Sequence, residues 1–572
     1  MRYATIDIET TGLNRFKDKV TYIGIGKYEW AGGDEKPVSL GGKIFKASNG
    51  FKGFKEYCNE LRRGKFQTVF QNGKFDTLFL EVQLGVKLPI HHDVMLMGTA
   101  YDLSAEHGLK AMAKSYLGVV DWDIPTKEKT KMDDTKVIPY LKLDVKYTFE
   151  LFVYFMRNMN KKQIGVYKKL LRPAYLMYRD VERKGIYIDT KALEKVRKQY
   201  KEEEKNKLAE LKKIHDINWN SPQQVSETLF NVEGLPVQKL SEKTGKPSAD
   251  AKVLKRLASK GYELPQKLLD YKFYYGANTK FLNQWGDYAA YDGRIHPNFN
   301  ITNVVTGRTS CSDPNLQQVP RNKELRSLYR APEGRVFIEA DYSQLELRIA
   351  ADYANEPTML KIYQEGGDIH TETAKSLSGT DNPTKEQRNK AKAVNFGFLY
   401  GMSAKGFINY AFDSYGQVFT KAEAEKYREL FFAKYNRLLP WHEEMAIECE
   451  LQGGVANRFG RFRHLPKIYS SESWERGEAV RRAINTPVQG TGSDLLLLSA
   501  IQIHKELGPK YDVTIVGTVH DSILAECPEE HKEVVEKEIR RIMCNPDALK
   551  EFGVSFKVPL DCDVGIGSWG TH

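Results

Sequence analysis

Four residues with side chains suited to a nucleotide recur at four-residue intervals: Arg388, Lys392, Phe396 and Tyr400. Successive residues of an α-helix are about 100° apart, so these four share one broad face. That face would carry two cations, then a flat ring, then a phenol. A core helix would carry Leu or Ile there, and a solvated helix would have no use for the rings. The pattern predicts a helix that binds a polyphosphate at one end and a sugar and base at the other.

A second group of side chains is suited to divalent metal ions. Asp7 and Glu9 alternate along a β-like run, so they project to one face of a strand. Like charges held this close need a compensating cation, and a divalent ion is the usual one. Asp76 follows a second short strand, and Asp144 lies one helical turn after Tyr140. Together they predict a two-metal hydrolytic site; the alternative is that Asp76 and Asp144 cap helices or face solvent.

A further acidic pair lies in the second half of the chain. Asp341 ends a buried-strand pattern, and Asp521 lies at the predicted turn of a hairpin formed by Tyr511–Glu526. Taken singly, Asp341 would be a helix-capping acid and Asp521 an ordinary turn residue. Taken together, they predict a second two-metal site, one suited to phosphoryl transfer.

Other polar residues near these motifs are candidates for contacts with nucleic acid or nucleotide. Arg308 lies in a loop rich in turn formers, where it would enter a minor groove or be solvated. His370 lies near a helix start, where an imidazole can donate to a phosphate. Asn485 and Gln489 are four residues apart, and their amides would read base edges or serve as buried structural groups.

Particular elements must position these side chains. Strands are predicted for Arg2–Ile8 and Val69–Gln71. Thr384 followed by Gln387 is a capping-box pattern, and it predicts the start of the helix that carries the cations and rings. Ser343 is predicted to cap the helix that begins with the sequence QLELRIAA.

The cation-bearing helix also contains the sequence NFGFLYG. Gly397 and Gly401 are expected inside this helix, where each costs roughly 0.5–1 kcal/mol relative to Ala. Because both flank the rings, we expect them to let a base pair approach closely. We therefore expect a mobile helix that closes on a correct nucleotide.

Composition bounds the class of protein. A chain of 572 residues is too long for one core, and two to four domains are expected. The net charge of +11 suits an anionic partner such as nucleic acid, and suits an ordinary basic protein equally well. Six cysteines without a CxxC pair indicate neither a zinc site nor a disulfide framework, so a reducing compartment is expected. No apolar run approaches the roughly 20 residues of a membrane span.

Six ordered motifs resemble those of two known families. The segments DIET, NGKFD and YLKLD resemble the motifs of DEDD-type 3′–5′ exonucleases of the Tyr-containing subclass. The segments DYSQLELR, RNKAKAVNFGFLYG and VHDS resemble the three polymerase motifs of family A DNA polymerases, the DNA polymerase I type. The compact layout resembles the bacteriophage enzymes. The resemblance covers nearly the whole chain.

This resemblance implies an α/β multidomain chain, with an RNase H-like 3′–5′ exonuclease domain followed by a right-hand polymerase. The expected domains are the exonuclease at 1–165, the thumb at 166–300, the first part of the palm at 301–352, the fingers at 353–480 and the second part of the palm at 481–572. Met1 is six residues before Asp7, so no 5′-nuclease domain is expected.

The resemblance also implies residue roles in polymerisation. Asp341 and Asp521 would hold two Mg²⁺, Lys392 would protonate the leaving pyrophosphate, and Glu346 would exclude a ribose 2′-OH. Nucleotide binding is expected from Arg388, Lys392, Phe396, Tyr400, His370, Glu346, Gln344 and Tyr342. DNA binding is expected from Arg308, Asn485, Gln489, His520 and Arg481. The family usually has Glu where this chain has Ser522, and we expect no catalytic role for that Ser.

In the exonuclease, the resemblance implies Asp7, Glu9, Asp76 and Asp144 as ligands of two further Mg²⁺, with Tyr140 orienting the attacking water. Mn²⁺ is an expected substitute at both sites. The implied function is DNA-templated DNA synthesis from a primer 3′-OH with 3′–5′ proofreading in a replicative enzyme. The alternatives are a single-subunit RNA polymerase-like enzyme, or a nuclease or DNA-binding protein with an inactive polymerase half.

The expected partners follow from the same resemblance. They are primer-template DNA, dNTPs and single-stranded 3′ ends, with accessory replication proteins as further candidates. Two helices with a basic tip within 166–300 would clamp duplex backbone, which makes binding salt-dependent. We expect a monomer that is located in the cytoplasm, which is the host cell cytoplasm if the protein is viral. We expect neither membrane association nor secretion.

Overall fold

The computed structural model describes residues 1–120, 122 and 133–570. These residues form two compact units. Unit 1 contains described residues of 1–184, 297–312 and 338–565, and unit 2 contains those of 185–296, 313–337 and 566–570. All acidic residues assigned above to metal binding belong to unit 1. The five domain ranges drawn from the sequence stay predictions.

A five-stranded sheet carries the N-terminal acids. Its strands, in spatial order, are Val38–Lys46, Val20–Glu29, Arg2–Thr10, Gln67–Phe70 and His92–Asp93. The first three are antiparallel neighbours, and the last two run parallel to Arg2–Thr10. The strand predicted at Arg2–Ile8 is confirmed, whereas the second strand ends at Phe70, one residue before Gln71.

A long helix, Asp134–Asn158, packs on this sheet. It buries Leu141 against Gly24, the residue opposite Asp7 in the neighbouring strand. A Cβ at Gly24 would lie 2.7 Å from Leu141 Cγ, so this close approach requires glycine. The close packing brings the helix residue Asp144 over the strand that carries Asp7.

A four-stranded sheet carries the second acidic pair. Its spatial order is Thr514–Val519, Ser522–Pro528, Arg335–Tyr342 and Cys562–Gly567. The first two strands form the predicted hairpin, which is therefore confirmed; His520 in its turn has φ +55°. The strand ending at Tyr342 lies beside the return strand of the hairpin, which brings Asp341 and Asp521 to the same region.

The helix that carries the cations and rings runs from Lys385 to Leu399. We call it the cationic helix. The predicted capping box is confirmed, because the Thr384 side chain and the Gln387 side chain satisfy each other's backbone N–H groups. Gly397 lies inside this helix, and glycine is needed there because a Cβ would lie 2.6 Å from the Phe407 ring of the next helix.

Two local expectations are wrong. Gly401 lies outside the cationic helix, in a left-handed conformation with φ +72°, so it carries no penalty for a helix interior. Ser343 does not cap the following helix, which runs from Leu345 to Ala354 after Gln344. The backbone N–H of Ser343 donates to the Asp561 carbonyl at 2.9 Å, so the chain continues its strand pairing past the expected cap.

The remaining elements of unit 1 are mostly helical. Its other α-helices are Phe54–Arg63, Gly73–Leu84, Val94–Tyr101, Leu109–Met112, Lys161–Val166, Arg172–Lys184, Pro357–Gln364, Ile369–Ser378, Ala404–Tyr415, Lys421–Lys434, Leu438–Gln452, Ser473–Tyr511, Lys532–Cys544 and Ala548–Phe552. Two short strand pairs join Asn298–Asn300 to Ser310–Ser312 and Gly454–Ala456 to Phe462–His464.

Unit 2 has its own apolar core. Its helices are Thr190–Ile214, Pro222–Glu227, Ala251–Ser259, Glu263–Ala277, Asn283–Ala289 and Lys323–Arg326, and a short strand pair joins Ile186–Tyr187 to Arg294–Ile295. Leu211, Trp219 and Leu254 are buried in this core. None of the helices in the described part of the chain has the length and apolar character needed to cross a membrane.

Candidate active sites

The first candidate site lies at the junction of the five-stranded sheet and the Asp134–Asn158 helix. Ligand oxygens of Asp7, Glu9 and Asp144 lie within 4.8 Å of one another, an arrangement that suits a metal ion. Asp76 is buried beside them and accepts a hydrogen bond from the Ile8 N–H at 3.1 Å. The structure therefore brings the four predicted acids into one neighbourhood, and three of them share one ligand cluster.

The negative charges of these acids repel each other. Burial raises the pKa of Asp7 well above its usual range, and the nearby Asp144, Asp76 and Glu9 raise it further. Burial likewise raises the pKa of Asp76. Hard oxygen donors in an acidic cluster are the ligand set that Mg²⁺ or Mn²⁺ prefers, so the residues present fit a divalent ion.

Lys110 is a member of this cluster that the sequence did not reveal. Its Nζ donates to the Tyr140 hydroxyl at 2.7 Å and to the Asp144 carboxylate oxygens at 2.6 and 2.7 Å. Lys110 lies in the segment HGLKAMAKSYLG, in which the sequence patterns singled out no residue. No pattern within that segment indicates the partners of the lysine.

A cleft adjoins the cluster. It has a volume of about 300 Å³ and is lined by Glu9 and Tyr140, together with Thr10, Tyr22 and Lys46. This volume lies at the lower end of the range for small-molecule sites. The cleft therefore places an open space next to Glu9 and Tyr140 of the site.

The second candidate site lies at the ends of two neighbouring strands in the four-stranded sheet. Asp341 is exposed, and the next residue, Tyr342, donates its backbone N–H to the Asp521 carbonyl at 3.2 Å. Burial raises the pKa of the Asp521 side chain, and Arg308 opposes that rise. Two carboxylates on adjacent strand ends, with one already destabilised as an anion, fit a divalent cation.

Glu346 is held in place next to this pair. Arg308 donates to one of its carboxylate oxygens, and the Tyr400 hydroxyl donates to the other at 2.5 Å. Burial raises the pKa of Glu346, while Arg308 lowers it. The two predicted contacts of a nucleotide, Tyr400 and Glu346, are thus joined to each other.

The cationic helix begins beside a half-buried acid, Asp368, that no sequence pattern had singled out. Arg388 Nε donates to Asp368 Oδ2 at 2.7 Å, and Gln344 Nε2 donates to Oδ1 at 3.0 Å. Burial works to raise the pKa of Asp368, but the hydrogen bonds from Arg388 and Thr371 outweigh it and hold the pKa at about 2. Asp368 precedes His370 in the segment DIHTETA, and its ability to cap a helix was the available signal.

His370 is buried and is held by a chain of hydrogen bonds. Thr373 Oγ1 donates to Asn395 Oδ1 at 2.8 Å and exchanges a second hydrogen bond of 2.8 Å with the Tyr435 hydroxyl. This fixes the amide of Asn395, whose Nδ2 then donates to His370 Nδ1 at 2.8 Å. The proton of a neutral His370 therefore resides on Nε2, and burial lowers the pKa of His370 to about 4.

The other predicted contacts are placed as follows. Phe396 and Lys392 on the cationic helix, and Asn485 and Gln489 one turn apart on the Ser473–Tyr511 helix, are all partly exposed. Arg481 and His520 are exposed. The Tyr342 hydroxyl is buried and binds Ser499 and the Met543 carbonyl, both at 2.8 Å, so its polar group is engaged within the fold. Ser522 is buried and donates to the Val519 carbonyl at 2.8 Å, a structural contact within the turn.

Together, the fold and these two sites define an α/β protein with separate carboxylate clusters on two different sheets. Residues 190–571 match the sequence model of a family described as DNA polymerase family A, and residues 1–160 match one described as 3′-5′ exonuclease. The chain belongs to DNA polymerase family A. The predicted order, an exonuclease domain followed by a family A polymerase domain, is confirmed.

Individual proteins agree with this assignment. The chain is 29% identical to the thermostable DNA polymerase I of Thermus aquaticus over 541 residues, which cover 93% of this chain and 60% of that protein. It is 28% identical to the DNA polymerase of Bacillus phage SP01 over 666 residues, which cover 98% of this chain and 71% of that protein. For the Thermus filiformis enzyme, 32% identical, the match covers 73% of this chain and 49% of the relative. The chain thus spans about half to three fifths of the length of the two Thermus relatives.

A solved structure has the same fold. It is the POL domain of Pol1 from M. smegmatis in complex with DNA primer-template and dNTP, with a TM-score of 0.84 and 22% sequence identity. The match covers 100% of this chain and 95% of that one.

Proposed function

We propose that the protein is a DNA-templated DNA polymerase that extends a primer 3′-OH with dNTPs and carries a 3′–5′ proofreading exonuclease. The observation that carries this proposal is the presence of two separate acidic sites, Asp341 with Asp521 and Asp7 with Glu9 and Asp144, in a chain of family A. The bound primer-template and dNTP of the M. smegmatis domain support the choice of substrates.

At the polymerase site, Asp341 and Asp521 would hold two Mg²⁺. Bound Mg²⁺ would lower the pKa of the primer hydroxyl and neutralise charge on the triphosphate. A bond forms between the primer O3′ and the α-phosphorus while the bond to pyrophosphate breaks. The hydroxyl proton leaves for solvent, and Lys392 gives a proton to the departing pyrophosphate.

Residues of the cationic helix would position the nucleotide. Arg388 and Lys392 bind the β- and γ-phosphates, and Phe396 packs on the sugar. Arg388 is bonded to Asp368, so it must either share this partner with the phosphates or exchange it for them. His370 adds a neutral Nε2–H donor, since its Nδ1 accepts from Asn395.

Glu346 would select deoxynucleotides. Its carboxylate is fixed by Arg308 and by Tyr400 at 2.5 Å, and a fixed side chain excludes a ribose 2′-OH better than a flexible one. Arg308, together with Asn485, Gln489, His520 and Arg481, would contact the primer-terminal pairs. Minor-groove acceptors lie alike in all correct pairs, so such contacts sense pair shape.

At the exonuclease site, Asp7, Glu9, Asp76 and Asp144 would hold divalent metal, Mg²⁺ or Mn²⁺, which would generate hydroxide from water. Tyr140 orients that water. The oxygen of that water bonds to the phosphorus of the terminal nucleotide, the P–O3′ bond breaks, and the released O3′ takes a proton. The product is a nucleoside 5′-monophosphate, and the adjacent cleft of about 300 Å³ suits its size.

The assignment of thumb, palm and fingers remains part of this proposal, as do a replicative role, a monomeric state and a cytoplasmic location. Helices of unit 2 would form the thumb. Their exposed lysines would contact the duplex backbone, which makes binding salt-dependent.

The test separates the two activities by mutation. Asp341→Ala should abolish primer extension and retain digestion of single-stranded 3′ ends, whereas Asp7→Ala should do the reverse. Matched controls are Asp563→Ala, an exposed acid of the same sheet as Asp341, and Asp34→Ala, an exposed acid near the start of the chain. Loss of both activities in either active-site variant would contradict two independent sites.

A further inference from the structure

Two cysteines meet at the edge of the four-stranded sheet that carries Asp341. Cys544 is the last residue of the Lys532–Cys544 helix, and Cys562 is the first residue of the edge strand Cys562–Gly567. Their Sγ atoms lie 4.0 Å apart and share a hydrogen bond. The sulfurs of a disulfide are about 2.05 Å apart, so the two side chains need to approach each other by only about 2 Å to form one.

Other hydrogen bonds hold the end of this helix against the sheet. Arg540 Nη1 donates to the Cys562 carbonyl. The Tyr342 hydroxyl donates to the Met543 carbonyl at 2.8 Å, and Tyr342 directly follows Asp341. The helix end that carries Cys544 is therefore bonded both to the strand of Cys562 and to the strand of Asp341.

The two thiols differ in exposure and in acidity. Cys544 is partly exposed, whereas Cys562 is buried. The hydrogen bond from Cys562 lowers the pKa of Cys544 to about 7, against the effects of burial and of Asp561. The same hydrogen bond raises the pKa of Cys562. Because the thiolate is the form that attacks a disulfide, Cys544 is the attacking group and Cys562 lies next to it to complete the exchange.

We propose that Cys544 and Cys562 form a reversible disulfide by exchange with a low-molecular-weight disulfide such as oxidised glutathione, and that its formation slows DNA synthesis. The Cys544 thiolate attacks one glutathione sulfur, the bond between the two glutathione sulfurs breaks, and one glutathione leaves. Cys562 then loses its proton and attacks the Cys544 sulfur of the mixed disulfide, and the second glutathione leaves as a thiol. One disulfide forms while one is reduced, so an excess of reduced thiol reverses the exchange.

The disulfide acts on the polymerase site through Met543. When Cys544 moves toward Cys562, the adjacent Met543 carbonyl moves with it, and the Tyr342 hydroxyl either follows or loses this bond. Either change disturbs the strand end that carries Asp341. The acids of the exonuclease site lie on the other sheet, so digestion should not change. The effect on synthesis rests on the proposed polymerase function, whereas formation of the disulfide does not.

The test compares the whole chain before and after incubation with oxidised glutathione at neutral pH. Thiols are then alkylated with iodoacetamide under denaturing conditions and counted by mass spectrometry. All six cysteines should react in the reduced chain, and the oxidised chain should lose two of these thiols. A tryptic digest should contain residues 542–550 joined to residues 558–572. Primer extension should fall several-fold and return with dithiothreitol, while digestion of a single-stranded 3′ end should stay unchanged.

Two variants serve as controls. Cys544→Ser removes the attacking thiol, so the oxidised variant should lose no thiols and should retain its rate of primer extension. Cys58→Ser removes a buried thiol from the Phe54–Arg63 helix and should still lose two thiols on oxidation. Circular dichroism verifies folding of each variant, and the peptide map of the unaltered chain decides whether the disulfide forms even if a variant fails to fold.

The possible failures are distinguishable. Six reactive thiols after oxidation, or a glutathione that stays attached to Cys544, would refute the disulfide. Complete formation of the disulfide with unchanged primer extension would refute its effect on synthesis. A reduced chain that cannot extend a primer would refute the proposed polymerase function, and the thiol count would still decide whether the disulfide forms.

Discussion

The hydrogen-bond chain behind His370 gives a prediction whose size follows from the structure. Thr373→Val keeps the shape of the side chain but removes the hydroxyl that binds Asn395 Oδ1 and the Tyr435 hydroxyl, each at 2.8 Å. Without that hydroxyl, the amide of Asn395 is free to rotate. His370 then loses the contact that keeps its proton on Nε2.

The cost has two parts. Two buried polar groups each lose a partner, at about 1–3 kcal/mol per group, so the free energy of unfolding should fall by roughly 2–4 kcal/mol after partial relaxation. A hydrogen bond to a charged phosphate contributes about 1.5–3 kcal/mol. Thr373→Val disturbs the imidazole of His370 without removing it. The KM for dNTP should therefore rise about tenfold, which corresponds to about 1.4 kcal/mol.

The assay is steady-state primer extension over a range of dNTP concentrations, with urea denaturation to measure stability. Ser378→Ala removes the hydroxyl of an exposed residue of the same helix, which donates to the Ala374 carbonyl, and it should leave the KM for dNTP unchanged. Because the pKa of His370 is about 4, its contribution should stay constant between about pH 6 and 8. An unchanged KM in a destabilised Thr373→Val enzyme would refute the positioning of His370 by this chain of hydrogen bonds.

Four further predictions test other parts of the structure. Glu346→Ala should raise incorporation of rNTPs relative to dNTPs, measured by competitive primer extension. Equal incorporation of rNTPs and dNTPs by the unaltered enzyme would contradict the exclusion of the ribose 2′-OH by Glu346. Gly397→Ala should lower the free energy of unfolding by about 1–3 kcal/mol in urea, because the new Cβ would lie 2.6 Å from Phe407; unchanged stability would contradict that packing. Lys74→Met should cost about 3–5 kcal/mol by the same measurement, because it removes the buried ammonium group that pairs with the buried Glu182 carboxylate; a neutral effect would show that the pair contributes little. Raising the salt from about 50 to 200 mM should weaken binding to a labelled duplex tenfold or more, and a flat response would contradict the basic clamp.

Local patterns predicted the elements that carry most of the candidate residues. The capping box at Thr384 and the alternation that places Asp7 and Glu9 on one strand depend on neighbours within a few residues, which the sequence displays directly. The hairpin whose turn contains Asp521 follows from the same kind of pattern. Two predictions within these patterns were wrong. Ser343 does not cap a helix because its backbone N–H pairs with Asp561, a distant part of the chain. Gly401 lies outside the helix because the helix ends at Leu399 and a turn follows.

What the sequence did not predict are contacts between distant segments. Lys110 reaches Asp144 across 34 positions, and Asp368 receives Arg388 across 20. No pattern within either segment indicates the partner, because each is set by the packing of helices on a sheet or on each other. His370 was predicted near a phosphate, but its burial and its dependence on Asn395 arise only when two helices pack together.

The most direct test of the central claim is one gel assay on a primer-template with a mismatched primer 3′ end. With Mg²⁺ and no dNTPs, the primer should shorten; with all four dNTPs, the mismatch should be removed and the primer then extended to the end of the template. An enzyme that extends the mismatched primer without first shortening it, or that shortens it and cannot extend it, would contradict an account in which both acidic sites act on one DNA substrate.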